Sequence, residues 1–240
     1  MRAPVSTSHD PAPPNSIPEL LQRAQALAGY NLGELAASQQ RELPDRLTRA
    51  KGLVGQLVER ALGANAGNRS APDFEQLGVE LKTLPLGARG RPKESTFVST
   101  IPLTDVHHLE WPQSRVCAKL RRVLWVPIEA DPTIPLPQRR IGQPLPWTPS
   151  GPQEHALRTD WEELMGLIAC GQIERITAHL GQHLQIRPKA AHSQVRRIVQ
   201  DEHGAPHRTL PLGFYLRPTF TALLLDEFGR NANHNSWLSA

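Results

Sequence analysis

At 240 residues the chain is long enough for one large domain or two small ones with a sizeable core. Its 39% hydrophobic and 21% charged residues fit a globular protein rather than a disordered one, and no apolar run reaches the roughly 20 residues that span a bilayer. A net charge of +4 is a modest basic excess, consistent with a polyanionic partner, and two cysteines, Cys117 and Cys170, exclude a disulfide framework.

The opening residues 1–16, "MRAPVSTSHDPAPPNS", lack the apolar core of a secretory signal and read as a Pro-rich disordered tail. With so few cysteines, this points to the reducing cytoplasm. A helix is predicted over 18–28, opened by Pro18, and a stronger one over 50–62. There Leu53, Val54, Leu57, Val58, Ala61 and Leu62 make one apolar stripe ending at Gly63. After a loop, "VELKTL" (79–84) alternates as a strand does, and "STFVSTI" (95–101) is a second strand. "SRVCAKL" (114–120) reads as helix and "RVLWVPIE" (122–129) as a central strand. Residues 131–152 hold seven prolines and read as loop, followed by an amphipathic helix over 157–171 that stops at Gly171. "ERITAHLGQHLQIRPKA" (174–190) predicts a hairpin turning near Gly181, and "HSQVRRIVQDE" (192–202) a short helix. "RTLPLGFYLRPTFTALLLDEF" (208–228) predicts a strand and then a helix starting near Pro218, with 229–240 as a flexible tail. The sum is a mixed α/β domain over 17–228, with strands in the middle and helices on both sides.

One stretch is chemically unusual. "PDFEQLGVELKTLPL" (72–86) sets Asp73, Glu80 and Lys82 into an otherwise apolar strand, and burying charge is costly unless it is paired or holds a metal. Side chains at i and i+2 share a strand face, so Glu80 and Lys82 point one way while Val79 and Leu81 face the packed side. A turn near Gly78 would bring the Asp73 carboxylate beside Glu80. Two converging carboxylates suit Mg²⁺, and a neighbouring ammonium suits a water attacking a phosphodiester. Glu59, at the border of the upstream helical stripe, is placed to add a further carboxylate. The competing reading is an edge strand with a surface Glu–Lys pair and an unrelated Asp, and spacing alone leaves both open.

Basic residues gather in "KLRRVLW" (119–125), "PQRR" (137–140), "IRPKA" (186–190) and "VRRI" (195–198), each a solvated face alone but together a set suited to phosphate contacts. Ten histidines invite a zinc reading, but two distant cysteines and the glycine inside "HLGQH" (179–183) give it no ligand pattern.

The blocks "KGLVGQLVERALGANAGN", "DFEQLGVELKTLPL", "GRPKESTFVSTIPL", "KLRRVLWVPIE", "IPLPQRRIGQPLPW", "DWEELMGLIACGQIERITA", "LQIRPKA" and "LPLGFYLRPTFT" run in order between about residues 17 and 228. In these the chain resembles the MutH family, the endonucleases of methyl-directed mismatch repair. The resemblance implies a restriction-endonuclease-like fold, a mixed β-sheet flanked by helices in two lobes around a DNA-binding cleft. It also implies Mg²⁺-dependent nicking of the unmethylated strand of double-stranded DNA at hemimethylated GATC, by a monomer stimulated by the MutL protein, with no membrane involvement. By the same resemblance Asp73 and Glu80 match metal-binding carboxylates, Lys82 the catalytic lysine, and Glu59 an additional active-site glutamate. Lys51 and Lys119 fall on basic positions near the DNA backbone. Arg187 and Lys189 match residues that read the target, Phe97 an aromatic close to DNA, and Tyr215 one near the adenine that carries the methyl mark. The Pro-rich start and the tail after Phe228 depart from the pattern. Two alternatives remain beside this reading: a restriction-type enzyme cutting both strands of GATC, and a non-catalytic DNA-binding protein on the same scaffold.

Overall fold

Helix α1 (Ile17–Leu27) begins as Pro18 suggests, with Ser16 accepting the Glu19 N–H as its cap. It belongs to a computed structural model that describes residues 11–44, 52–65, 71–101, 109–189, 197–200 and 206–230, with 197–200 and 206–209 described as backbone. The described residues fall into two compact units. One comprises those of Met1–Lys93, Arg122–Trp147 and Asp226–Ala240, the other those of Glu94–Arg121 and Thr148–Leu225.

In the first unit, α1, α2 (Leu32–Ser38) and α3 (Leu53–Leu62) cover one face of a three-stranded mixed sheet. Strand β3 (Val123–Glu129) is central, parallel to β1 (Glu80–Leu86) and antiparallel to the short β4 (Leu145–Trp147). Its first six residues are all buried, as a central strand requires. Leu57, Val58 and Leu62 of the predicted apolar stripe are fully buried, against Val79, Leu81, Leu124 and Val126 from the sheet. Gly63 ends α3 in the left-handed region that favours glycine.

Two elements of this unit carry no strong sequence pattern. Helix α2 is seven residues long, too short for a periodicity, and is set instead by a capping box in which Asn31 and Glu34 exchange 2.8 Å hydrogen bonds. Strand β4 lies within the segment expected to be loop. It contains Pro146, and an edge strand tolerates the missing donor.

The second unit is built on an antiparallel sheet in which β8 (Leu212–Leu216) lies between β2 (Thr96–Thr100) and β5 (Leu184–Pro188). Helices α4 (Arg115–Leu120) and α5 (Gly151–Ala169) pack against it, and α6 (Pro218–Arg230) follows β8 from Pro218 as expected, running on to Arg230. Helix α5 starts six residues before its predicted boundary, because Ser150 and Gln153 form a capping box.

Two expectations are overturned here. The hairpin before β5 is absent: residues 173–175 form a short 3₁₀ turn, and β5 pairs with β8. Asp160, buried on α5, accepts the N–H groups of Gln182, His183 and Leu184 at 2.8, 2.7 and 2.8 Å. Arg217 donates to the carbonyls of Ala178, Leu180 and Gly181 at 2.7, 2.9 and 2.9 Å. These side chains satisfy backbone groups that a hairpin partner would otherwise take. Gly181 does turn the chain, at φ 76°, and a Cβ there would lie 1.9 Å from the Leu184 carbonyl oxygen. Of the short helix expected over 192–202, residues 192–196 and 201–202 lie outside the described residues, and 197–200 form a strand instead. This strand, β6 (Arg197–Gln200), pairs antiparallel with β7 (Pro206–Thr209), in keeping with the β-branched Ile198 and Val199.

Candidate functional site

The charged strand is β1, and its two faces differ as alternation predicts. Val79 and Leu81 are buried beneath the helices, while Glu80 and Lys82 share the other face opposite Val123 and Trp125 of β3. Between Asp73 and Glu80 the chain makes a 3₁₀ turn over Glu75–Leu77 and reverses at Gly78, whose φ of 61° is a left-handed value. A Phe74–Val79 bridge closes the reversal. The Asp73 carboxylate is thereby fixed against β1, its Oδ2 accepting the Leu81 N–H at 2.9 Å.

The electrostatics of this corner are dominated by negative charge held out of water. Glu80 is 1% exposed and Asp73 9%. Burial and the adjacent Glu80 charge push the Asp73 carboxyl up to about 6, with Glu59 on α3 adding to the effect and Lys82 and the Leu81 N–H opposing it. Lys82 Nζ meets Glu80 Oε1 at 2.5 Å. The four residues Asp73, Glu80, Lys82 and Glu59 are thus brought together. Among the described residues no group of three or more His, Cys, Asp or Glu side chains is arranged to hold a metal ion. Asp73 and Glu80 offer a donor set of hard carboxylate oxygens, which suits Mg²⁺ better than zinc.

A second cluster lies on one face of the other unit's sheet. Tyr215 of β8 stands in register between Phe97 of β2 and Gln185 of β5, and Gly213 pairs with Arg187. The alternate residues Leu212, Phe214 and Leu216 are buried on the opposite face. The Phe97 and Tyr215 rings meet edge-on, 5.3 Å between centroids at 66°. Lys189 Nζ lies 3.4 Å from the centroid of Phe97, and the Arg187 guanidinium carbon 6.0 Å from that of Tyr215. Arg187 and Lys189 are exposed, so two cations crown a half-buried aromatic pair. Burial raises the Tyr215 phenol above its usual range, with Arg187 opposing, which keeps it a protonated hydrogen-bond donor at neutral pH.

Lys119 lies elsewhere, half-buried in the last turn of α4, where Val116 lines the same cavity as Phe214 on the reverse of that sheet. Lys51 lies outside the described residues. Three residues of the aromatic face lie within the quoted blocks, but the sequence alone assigns them no role. Gly213 leaves room for the ring pair, since a Cβ there would lie 2.9 Å from Phe97 Cε2 and 3.3 Å from Tyr215 Cε2. A glycine inside a strand is itself the signal for such a close approach. Ser95 and Gln185 bond each other at 2.7 Å, a pairing that only the strand order reveals.

A mixed sheet under helices, with buried Glu80 beside Lys82 on one strand and the Asp73 carboxylate folded back against it, is the arrangement of a restriction-endonuclease-like protein. The sequence model of the family described as DNA mismatch repair enzyme MutH matches residues 62–160. The chain is 52% identical over 215 residues to the DNA mismatch repair protein MutH of Yersinia enterocolitica serotype O:8 / biotype 1B (strain NCTC 13174 / 8081), covering 90% of this chain and 94% of that one. Identity and coverage are the same for the DNA mismatch repair protein MutH of Yersinia pestis (strain Pestoides F). The chain belongs to the MutH family of DNA mismatch repair enzymes. No helix among the described residues is long and apolar enough to cross a membrane.

Proposed function

We propose that this chain is a Mg²⁺-dependent endonuclease that nicks the unmethylated strand of hemimethylated GATC sites. The observation that carries the reading is the corner of β1, where Asp73 and Glu80 are buried together beside Lys82. Binding DNA alone gives no reason to keep buried carboxylates where phosphates approach. Asp73 and Glu80 would hold the ion, and Mg²⁺ supplies a Lewis acid that lowers the pKa of water and offsets charge on the phosphate.

The chain's own groups do the rest. Glu59 deepens the negative field that attracts a cation to Asp73. The Lys82 ammonium, held by Glu80, orients the attacking water and stabilises negative charge as the P–O bond to the leaving oxygen breaks. Arg187 contacts a base edge through two donors, and Lys189 and Phe97 line the approach. Tyr215 faces the adenine of the strand to be cut, where an N6-methyl group would fill space and remove one donor. Lys119 and Lys51 serve backbone phosphates.

A role in mismatch repair accords with family membership, and stimulation by MutL, a monomeric state and a cytoplasmic location belong to the same reading. Incubation with Mg²⁺ and otherwise identical unmethylated, hemimethylated and fully methylated GATC duplexes tests it. Cleavage of the first two and sparing of the third is expected; equal cleavage of all three would refute methyl sensing.

A further inference from the structure

The guanidinium of Arg187 is not left to wander above Tyr215. Its Nη1 donates to Ser95 Oγ at 3.2 Å, and the same oxygen accepts Gln185 Nε2 at 2.7 Å. Gln185 is buried, 4% exposed, and stands in register opposite Tyr215. Ser95 immediately precedes β2, the strand that carries Phe97. One hydroxyl, with its two acceptor lone pairs, therefore joins a fixed interior amide to an exposed arginine across three strands of the sheet.

The two bonds differ in what they do. The Gln185 bond pairs a buried polar group and stabilises the sheet, since an unpaired amide there would be costly. The Arg187 bond is exposed and contributes little to stability. Its consequence is orientation: an arginine has large rotamer freedom, and a planar fork restrained before binding loses less of it on meeting a base. We propose that Ser95 is a positioning residue for sequence recognition, its hydroxyl transmitting the fixed geometry of Gln185 to the Arg187 guanidinium. This rests on the reading of Arg187 as a base-contacting residue.

The test compares binding of a GATC duplex and a scrambled duplex, at one salt concentration, by wild type, Ser95→Ala, Ser95→Thr, Arg187→Ala and the Ser95→Ala/Arg187→Ala double variant. Ser95→Ala is expected to lower the GATC-over-scrambled preference by about 3–10-fold, the equivalent of one hydrogen bond. Ser95→Thr, which keeps the hydroxyl, should restore it, and the double variant should be no worse than Arg187→Ala alone. Should Ser95→Ala fail to fold, Ser95→Cys, with only a weak acceptor, takes its place in the comparison. Unchanged preference in Ser95→Ala, alongside lost preference in Arg187→Ala, overturns the inference. So does equal weakening on both duplexes, which would mark a structural role alone. Retained preference in Arg187→Ala instead removes the underlying reading of Arg187, and the inference with it.

Discussion

Lys82 Nζ and Glu80 Oε1 lie 2.5 Å apart on one face of β1, with Glu80 buried and Lys82 reaching the protein surface only in part. Loss of either member leaves the other charge less well compensated and costs stability.

Asp73→Ala, Glu80→Ala and Lys82→Ala should each reduce nicking by at least about 10²-fold, within the span expected for a lost positioned proton-handling or charge-stabilising group. DNA affinity in the absence of cleavage should persist, and loss of a carboxylate should tighten it through weaker repulsion of phosphates. Electrophoretic binding and single-turnover nicking of the same preparations check this. Glu80→Ala nicking within a few-fold of wild type would remove Glu80 from the site.

The raised Asp73 carboxyl makes the metal-free protein pH-sensitive in a defined direction. Its unfolded value is about 3.9, and in the folded protein burial and Glu80 lift it to about 6. The folded state therefore holds the proton more tightly. The associated stability is present below about pH 4 and lost as the pH rises to about 6. Asp73→Asn retains an acceptor for the Leu81 N–H and removes the titration. In EDTA at pH 8 it should stabilise the protein, by on the order of 1–3 kcal/mol, with the gain vanishing near pH 4. Urea unfolding at both pH values measures it, and a destabilised Asp73→Asn at pH 8 would contradict the electrostatic account.

Much of this corner was legible in the sequence because alternation is a local property. Val79 and Leu81 against Glu80 and Lys82 declare two unlike faces, and Gly78 marks the reversal that returns Asp73 to β1. The aromatic face was not legible without the family resemblance. Phe97, Gln185 and Tyr215 become neighbours only through the order β2–β8–β5, which also brings Ser95 to Gln185, 90 positions away. Strand β4 was hidden by its prolines and α2 by its length, and the turn before β5 is decided by Asp160 and Arg217, neither of which is nearby in sequence.

Gly213→Ala should disturb both recognition and folding. The added methyl would crowd Phe97 Cε2 at 2.9 Å, a ring edge that can swing outward from a half-buried position, and would also lie 3.2 Å from the Ser99 carbonyl oxygen. Expected are a loss of GATC preference of roughly tenfold and a destabilisation of about 1–3 kcal/mol. Unaltered GATC preference would show that the ring pair's placement does not matter to reading.

Arg187→Ala should cost about 1–3 kcal/mol at GATC with little effect on scrambled DNA, whereas Lys119→Ala should weaken both alike and lessen the salt dependence. Titrations across a salt series separate the two behaviours. Equal losses on both duplexes for Arg187→Ala would place it among the backbone contacts.

Tyr215→Phe deletes the hydroxyl and keeps the ring in its edge contact with Phe97. If the hydroxyl helps to sense the methyl mark, the ratio of nicking rates on hemimethylated and unmethylated duplexes should change by several-fold, the worth of one hydrogen bond. Tyr215→Ala should change it further. Ratios untouched in both variants would place methyl discrimination on other residues.

The central claim, a metal-dependent nickase that reads a methyl mark, is tested most directly by strand-resolved cleavage. A hemimethylated GATC duplex carries a different dye on each strand and is incubated with excess wild-type protein, with Mg²⁺ or with EDTA. The account predicts a single cut confined to the unmethylated strand, and no product in EDTA. Cleavage of both strands at equal rates, or product formed in EDTA, would contradict it.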